Sequence, residues 1–224
     1  MYKNFNLNGQ TVVVTGAETG IGADAALAYA EAGAQLALLC EDIEKAEQIK
    51  EKIDQMGGRA LIVQCDVTSE KSVRRAIKAV LQNFGKVDIL LNNSDIALKD
   101  GLENMQAADW NRAFGKGLRG VYFVSRQLIT HMKNNGYGKI INVSTANSRS
   151  TSNLSRWEVS PRDMVASLTK DLASLYAQFG ISVNTIGPDK ANKDSFVNTI
   201  LYLSSDEAKL VVGQFVDERN AAIA

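Results

Sequence analysis

The sequence is poor in the features that mark linkers, metal centres and membrane segments. It has two prolines in 224 residues, Pro161 and Pro188, and shows no internal repeat and no low-complexity linker. Its two cysteines, Cys40 and Cys65, are too few and too far apart for a disulfide framework. Both fall at the ends of predicted strands, so buried or half-buried free thiols are expected. One histidine, His131, and two distant cysteines do not suit zinc, so the expected metal is none. His131 lies in a helical surface run, Thr130-His-Met-Lys, and is expected to be a solvated side chain. No apolar run approaches membrane-spanning length, and the start, Met1-Tyr-Lys-Asn-Phe-Asn-Leu, has no apolar signal-like core. Lys+Arg and Asp+Glu cancel at 25 each, with no long block of either sign. These absences argue against nucleic-acid and membrane partners and lead to an expected soluble, cytoplasmic protein.

What remains has the size and the 45% hydrophobic content of one α/β domain, expected to span 1–224. The organising stretch is Thr11-Val-Val-Val-Thr15-Gly16-Ala17-Glu18-Thr19-Gly20-Ile21-Gly22. A β-branched run reads as a buried strand, breaks into a glycine-rich turn and gives way to a helical pattern at about Ile21. The glycines permit a tight turn and close backbone approach. The free N–H groups at the helix start make an anion site suited to a pyrophosphate. The bland alternative is a strand-to-helix turn that packs and binds nothing.

Further along, the pattern predicts a helix over Ile21–Ala32, a strand over Gln35–Leu39, a charged helix over Glu44–Gln55 and a strand over Ala60–Gln64. Val73, Ile77, Val80, Leu81 and Phe84 recur at helical spacing. A fourth strand is expected at Val87–Leu91, a helix around Ala107–Asn134 and a fifth strand at Lys139–Val143. A helix follows at Pro161–Phe179, then a strand at Ile181–Ile186, a short helix at Asp194–Ser204 and a last strand at Gly213–Val216. The tail Arg219–Ala224 is expected to fray. The alternation predicts a doubly wound parallel sheet, the three-layer Rossmann fold, with about seven strands. Ligands then belong at the carboxyl ends of the strands. The expected wall is Gly16–Gly22, Cys40–Asp42, Asp66, Asn92–Asp95, Ser144–Thr145 and Gly187–Asp189.

Six motifs together resemble the short-chain dehydrogenase/reductase family, nearest in style to its 3-oxoacyl-carrier-protein reductases. They are Thr15-Gly-x-x-x-Gly-Ile-Gly22, Cys65-Asp66-Val67-Thr68, Asn92-Asn93, Ile140-Ile-Asn-Val-Ser144, Val183-Asn184-x-Ile-x-Pro188 and Leu203-Ser-Ser-Asp206 followed by Gly213-Gln214. The resemblance implies a dinucleotide site at Gly16, Thr19, Gly20, Ile21, Gly22, Glu41, Asp66, Val67, Asn92 and Ser94. In it, Asp66 accepts from the adenine amino group and Asn92 helps hold the central strand ends.

The same resemblance locates departures. The family's tyrosine proton donor falls on Glu158 and its lysine on Arg162. Its serine falls on Thr145, with Ser144 adjacent, and its asparagine on Gly117. A tyrosine phenol has an ordinary pKa of about 10, which a neighbouring cation brings to a useful value. A glutamate starts at about 4 and a cationic neighbour lowers it, so it holds no proton at neutral pH. Arginine does not release its proton or replace a lysine point charge. Glycine offers no side chain, and only Thr145 is a tolerable replacement. Glu158 with Arg162 is either a rewired acid–base pair or, the favoured reading, an exposed ion pair contributing about 0–1 kcal/mol. Ser160-Pro161-Arg162-Asp163 reads as a helix start, so the helix is expected to begin at Pro161 with Glu158 in a loop. Asn92-Asn93-Ser94-Asp95 puts a carboxylate where the family has glycine. After Pro188-Asp189, the family's long substrate-binding segment is missing, and Asp217-Glu218-Arg219 replaces its Asp-Gly-Gly.

These readings favour a non-catalytic binding or assembly subunit. Its expected form is a homo-oligomer, dimer or tetramer, or a hetero-oligomer with an active relative. The alternatives are an oxidoreductase with a rewired site and a dinucleotide redox sensor. Cys40, Glu41, Asp42 and Thr19 are all non-basic, which favours NAD(H) over NADP(H), with Glu41 the expected ribose partner. Glu18 and Asp95 would oppose an anionic ligand if they point inward.

Overall fold

A computed structural model describes residues 5–94, 106, 108, 111, 115–144, 161–189 and 192–218. Seven strands form one parallel sheet in the order β3-β2-β1-β4-β5-β6-β7. They are β1 (Thr11–Thr15), β2 (Gln35–Cys40), β3 (Arg59–Gln64), β4 (Ile89–Ser94), β5 (Gly138–Ser144), β6 (Ile181–Gly187) and β7 (Phe215–Asp217). Six α-helices accompany them among the described residues: α1 (Gly20–Glu31), α2 (Ile43–Gln55), α3 (Glu70–Phe84), α4 (Gly120–Asn135), α5 (Pro161–Tyr176) and α6 (Lys193–Ser204).

Two apolar layers sandwich the sheet. Val12 and Val14 of β1 pack with residues of α1, α2 and α6, whereas Val13 packs with α3, α4 and α5. The period-two alternation of β1 thus feeds both layers, which is why its valines form an unbroken buried run. Tyr29 of α1 is fully buried, and its hydroxyl meets Ser204 Oγ of α6 at 2.8 Å, satisfying the one polar atom it carries into the core.

β1 pairs with β2 on one side and β4 on the other. The chain winds outward to β3, returns across β1 and winds outward again. That reversal opens a crevice at the carboxyl ends of β1 and β4.

The expected doubly wound Rossmann architecture is present, with five local corrections. β4 runs to Ser94 rather than ending at Leu91, because its pairing with β5 continues through Asn92↔Asn142 to Ser94↔Ser144. Of the helix expected around Ala107–Asn134, α4 covers the part from Gly120, and most of residues 107–114 lie outside the described residues. A wide π-type turn, Gly115–Arg119, precedes α4 in a glycine-rich stretch. The helix from Pro161 tightens into a 3₁₀ turn at Ala177–Phe179 before Gly180. The last strand is Phe215–Asp217, since Gly213 is a turn residue at φ 71°. His131 is half-buried rather than simply solvated. Its Nε2 accepts the Val87 N–H at 3.2 Å and lies 2.9 Å from Asn135 Nδ2, tying α4 to the approach of β4. No described helix is long and apolar enough to cross a membrane.

Candidate functional site

The crevice holds a cleft of about 460 Å³. One wall is the glycine turn and first residues of α1: Gly16, Glu18, Thr19, Gly20, Ile21 and Asp24. The ends of β2 and β3 supply Leu39, Cys40, Glu41, Cys65 and Val67. Asn93 comes from β4, and Asp189, Lys193 and Phe196 close the far side.

Helix starts decide what this cleft can hold. The first N–H groups of any helix lack intrahelical acceptors. Asp42 caps α2 by accepting from Lys45 N, Ser69 caps α3 at Ser72 N, and Asn192 caps α6 at Ser195 N. Thr19, at the start of α1, makes no such bond, and its side chain is exposed at the cleft. The α1 N-terminus therefore presents uncapped donors and a positive dipole end to the cavity.

The glycines divide two tasks. A Cβ at Gly22 would stand 2.1 Å from Gly16 O, so this residue lets α1 pack onto the turn. Gly20 has φ 56° and open space within 4 Å of where a Cβ would stand, leaving the backbone bare toward the cleft. Asn93 holds the turn from the other side. Its Nδ2 donates to Gly16 O at 3.2 Å, and its N–H donates to Thr15 Oγ1 at 3.0 Å. The bare glycine backbone and uncapped helix start fit a dinucleotide pyrophosphate.

Of the sequence-derived contacts, Gly16, Thr19, Gly20, Ile21, Glu41 and Val67 lie on the cleft, with Gly22 just behind. Asn92 does not line it. Alternation along β4 turns Asn92 to the opposite face, where its Nδ2 donates to Ser125 Oγ and Asn142 Oδ1. Asn142 in turn donates to Thr169, whose hydroxyl meets that of Thr185 at 2.6 Å. Asn92 thus ties the strand ends together, while Asn93 takes the place in the wall. The period-two pattern of β4 was the signal that separates them.

Asp66 sits on an adjoining surface hollow with Glu41, Gln64 and Thr68. Its Oδ1 accepts both the N–H and the hydroxyl of Thr68, closing the turn after β3. Ser94 ends β4, but its side chain lies outside the described residues, as do Asp95, Thr145 and Glu158. Helix α5 is described from Pro161. Arg162 is in its first turn, with its side chain outside the description. Gly117 is buried within the Gly115–Arg119 turn. Ser144 ends β5 at 2% exposure, and its hydroxyl has no partner among the described residues.

Sequence reasoning missed Asp24, Lys193 and Phe196. The short Lys190–Lys193 link was the available signal, because it brings α6 close after β6. Lys193 pairs with Asp24 at 3.1 Å across the rim. Glu218, a departure from the family's Asp-Gly-Gly, is 6% exposed and binds the same region: Oε1 accepts from Ser195 and Thr199 hydroxyls, and Oε2 from Asp189 N–H.

Both cysteines are free and buried, as expected. Desolvation pushes each thiol from an ordinary 9 up to about 11, aided at Cys40 by the negative charges of Glu18 and Asp42. They are therefore poor nucleophiles at neutral pH. A raised pKa means the folded state holds protons that the unfolded state has released. The stabilisation is complete below about pH 9 and is lost as pH rises through 11. In urea titrations at pH 8 and pH 11, a Cys40→Ala/Cys65→Ala variant is expected to lose less stability than the parent.

Among the described residues, no group of three or more His, Cys, Asp or Glu is arranged to hold a metal ion.

Comparison with known proteins agrees with this geometry. The family model for short chain dehydrogenases matches residues 10–198. An uncharacterized oxidoreductase of Thermotoga maritima is 32% identical over 193 residues, covering 86% of this chain and 76% of the relative. Gluconate 5-dehydrogenase of Gluconobacter oxydans is 30% identical over 188 residues, covering 82% and 72%. Among solved structures, a 3-ketoacyl-(acyl-carrier-protein) reductase from Brucella melitensis, complexed with NADH, superposes with TM-score 0.85 at 29% identity, covering 95% of this chain and 98% of that one. The chain belongs to the short-chain dehydrogenase family.

Proposed function

We propose that this protein is a dinucleotide-binding member of its family that lacks the standard carbonyl-reducing chemistry and acts as a binding or assembly subunit. The observation that carries this is the contrast between a kept cradle and a depleted catalytic set. The uncapped α1 start and bare Gly20 support binding. Gly117, at the position the family resemblance gives to asparagine, brings no side chain to its buried turn. Glu158 and Arg162 stand in the sequence where tyrosine and lysine are needed.

NAD(H) is the favoured ligand, since Cys40, Glu41 and Asp42 at the β2 end are all non-basic. Lys45 there is engaged with Asp42 at 2.9 Å, and that bond holds the Asp42 carboxyl below its ordinary range. When bound, such a group supplies two-electron redox chemistry. This chain's own residues would hold its phosphates on the N–H groups of α1 and keep the turn in place through Asn93. A cytoplasmic oligomer fits this role, with association through α4 and α5. Leu118, Tyr122, Met164 and Leu168 line an open hollow between those helices.

The test pairs calorimetric titration of NADH with a carbonyl-reductase assay on the parent and on a Glu158→Tyr/Arg162→Lys/Gly117→Asn variant. Binding without turnover by the parent is expected. Robust turnover by the parent would favour the oxidoreductase reading instead, and several relatives are named as dehydrogenases.

A further inference from the structure

We propose that Glu18, in the glycine turn, is the residue that receives the adenosine ribose of the dinucleotide and rejects a 2′-phosphate there. This rests on the dinucleotide reading above. The sequence suggested two other roles for the acids involved: Glu18 as a repeller of phosphate, and Glu41 as the ribose partner. The side-chain geometry assigns them differently.

Glu18 does not fold over the α1 N-terminus. It reaches to the end of β2, where Oε1 accepts the Glu41 N–H at 3.1 Å. That bond fixes the carboxylate at the rim between the glycine turn and the β2 end. The other oxygen, Oε2, is buried and has no partner among the described residues. An orphaned carboxylate oxygen is costly, and a donor at that point offsets the cost. A ribose is well placed to supply it. With its phosphates held at the α1 start, a dinucleotide would bring its adjoining sugar toward the cleft wall that Thr19, Cys40 and Glu18 share. The ribose hydroxyls donate, and a carboxylate only accepts, so the pairing is chemically complementary.

The same contact opposes a 2′-phosphate twice over. The Glu41 N–H, a backbone donor at this rim, is already engaged by Glu18. The phosphate would also face the Glu18 carboxylate as a like charge. Two of the nearby cations are engaged, Lys45 with Asp42 at 2.9 Å and Lys193 with Asp24 at 3.1 Å, and Arg75 lies on the adjoining hollow with Asp66 rather than on the cleft wall. Glu41 contributes its backbone here, with its side chain on the exposed rim. The end of β2 itself holds Cys40, a buried neutral thiol that offers no acid.

The test is calorimetric titration of NADH and NADPH into the parent and into Glu18→Gln, Glu18→Ala and Glu41→Gln, with thermal unfolding confirming that each variant folds. The parent is expected to prefer NADH. Glu18→Ala should weaken NADH about tenfold or more, the worth of one charge-assisted hydrogen bond, and should strengthen NADPH. Glu18→Gln keeps an acceptor for the Glu41 N–H and removes the charge, so it should shift the NADPH-to-NADH ratio in the same direction by less. Glu41→Gln, on the same rim, should change the ratio less than Glu18→Gln does. A ratio that follows Glu41 rather than Glu18, or a parent that prefers NADPH, overturns the assignment while leaving the dinucleotide reading in place. Failure of the folded parent to bind either nucleotide overturns both.

Discussion

Replacing Gly22 with alanine is expected to destabilise the protein by about 3 kcal/mol or more and to abolish nucleotide binding, because the added Cβ meets atoms that do not yield. It would lie 2.1 Å from Gly16 O and 2.9 Å from Gly16 C, both backbone, and 2.7 Å from Asn93 Nδ2. Relief requires α1 to lift from the turn, which breaks the Asn93–Gly16 bond and displaces the uncapped N–H groups together. Gly20→Ala is the informative comparison. Its φ of 56° imposes strain, but no described atom lies within 4 Å of the new methyl group. It should cost about 1 kcal/mol. Urea denaturation measures both costs, and calorimetry measures binding. Equal costs for the two variants would show that the close approach at Gly22 is not what holds α1 to the sheet.

Glu218→Ala is the second large effect. One buried carboxylate receives the Ser195 and Thr199 hydroxyls at 3.0 and 2.7 Å and the Asp189 N–H at 3.2 Å. It thereby joins the chain after β7 to the loop after β6 and to the first turns of α6. Truncation takes this acceptor away from all three donors in a buried setting, for an expected loss of about 2–4 kcal/mol. For a chain of this size, the midpoint of thermal unfolding should fall by about 5–15 °C. Because Asp189, Lys193 and Phe196 line the cleft, nucleotide affinity should fall as well. Differential scanning calorimetry decides the first effect. An unchanged midpoint would mean that solvent substitutes for the carboxylate.

Residue 218 shows where local pattern stops and packing begins. Asp217-Glu218-Arg219 could be recognised as a departure from Asp-Gly-Gly, but its consequence could not. A carboxylate at a strand end looks exposed until α6 is seen to pack against it. His131 is similar. A polar residue on a helical run reads as solvated, yet the approach to β4, distant in sequence, supplies a backbone donor to its ring. Asn92 and Asn93 differ again. Strand alternation already places them on opposite faces, and the structure adds which face borders the cleft.

Local signals along the chain set the winding of the sheet and the place of its crevice. Apolar periodicity, glycine breaks and helix caps are local signals, and each independently favours the same alternation of strand and helix. The tertiary structure decided the directions of side chains at the ends of the strands. There Glu18 turns to the Glu41 N–H, Asn93 clamps the glycine turn and Glu218 gathers three donors from two other segments. Those directions are set by contacts between residues far apart in the chain. A carboxylate or amide follows whichever donor or acceptor the packed elements bring within reach, and no local pattern encodes that choice.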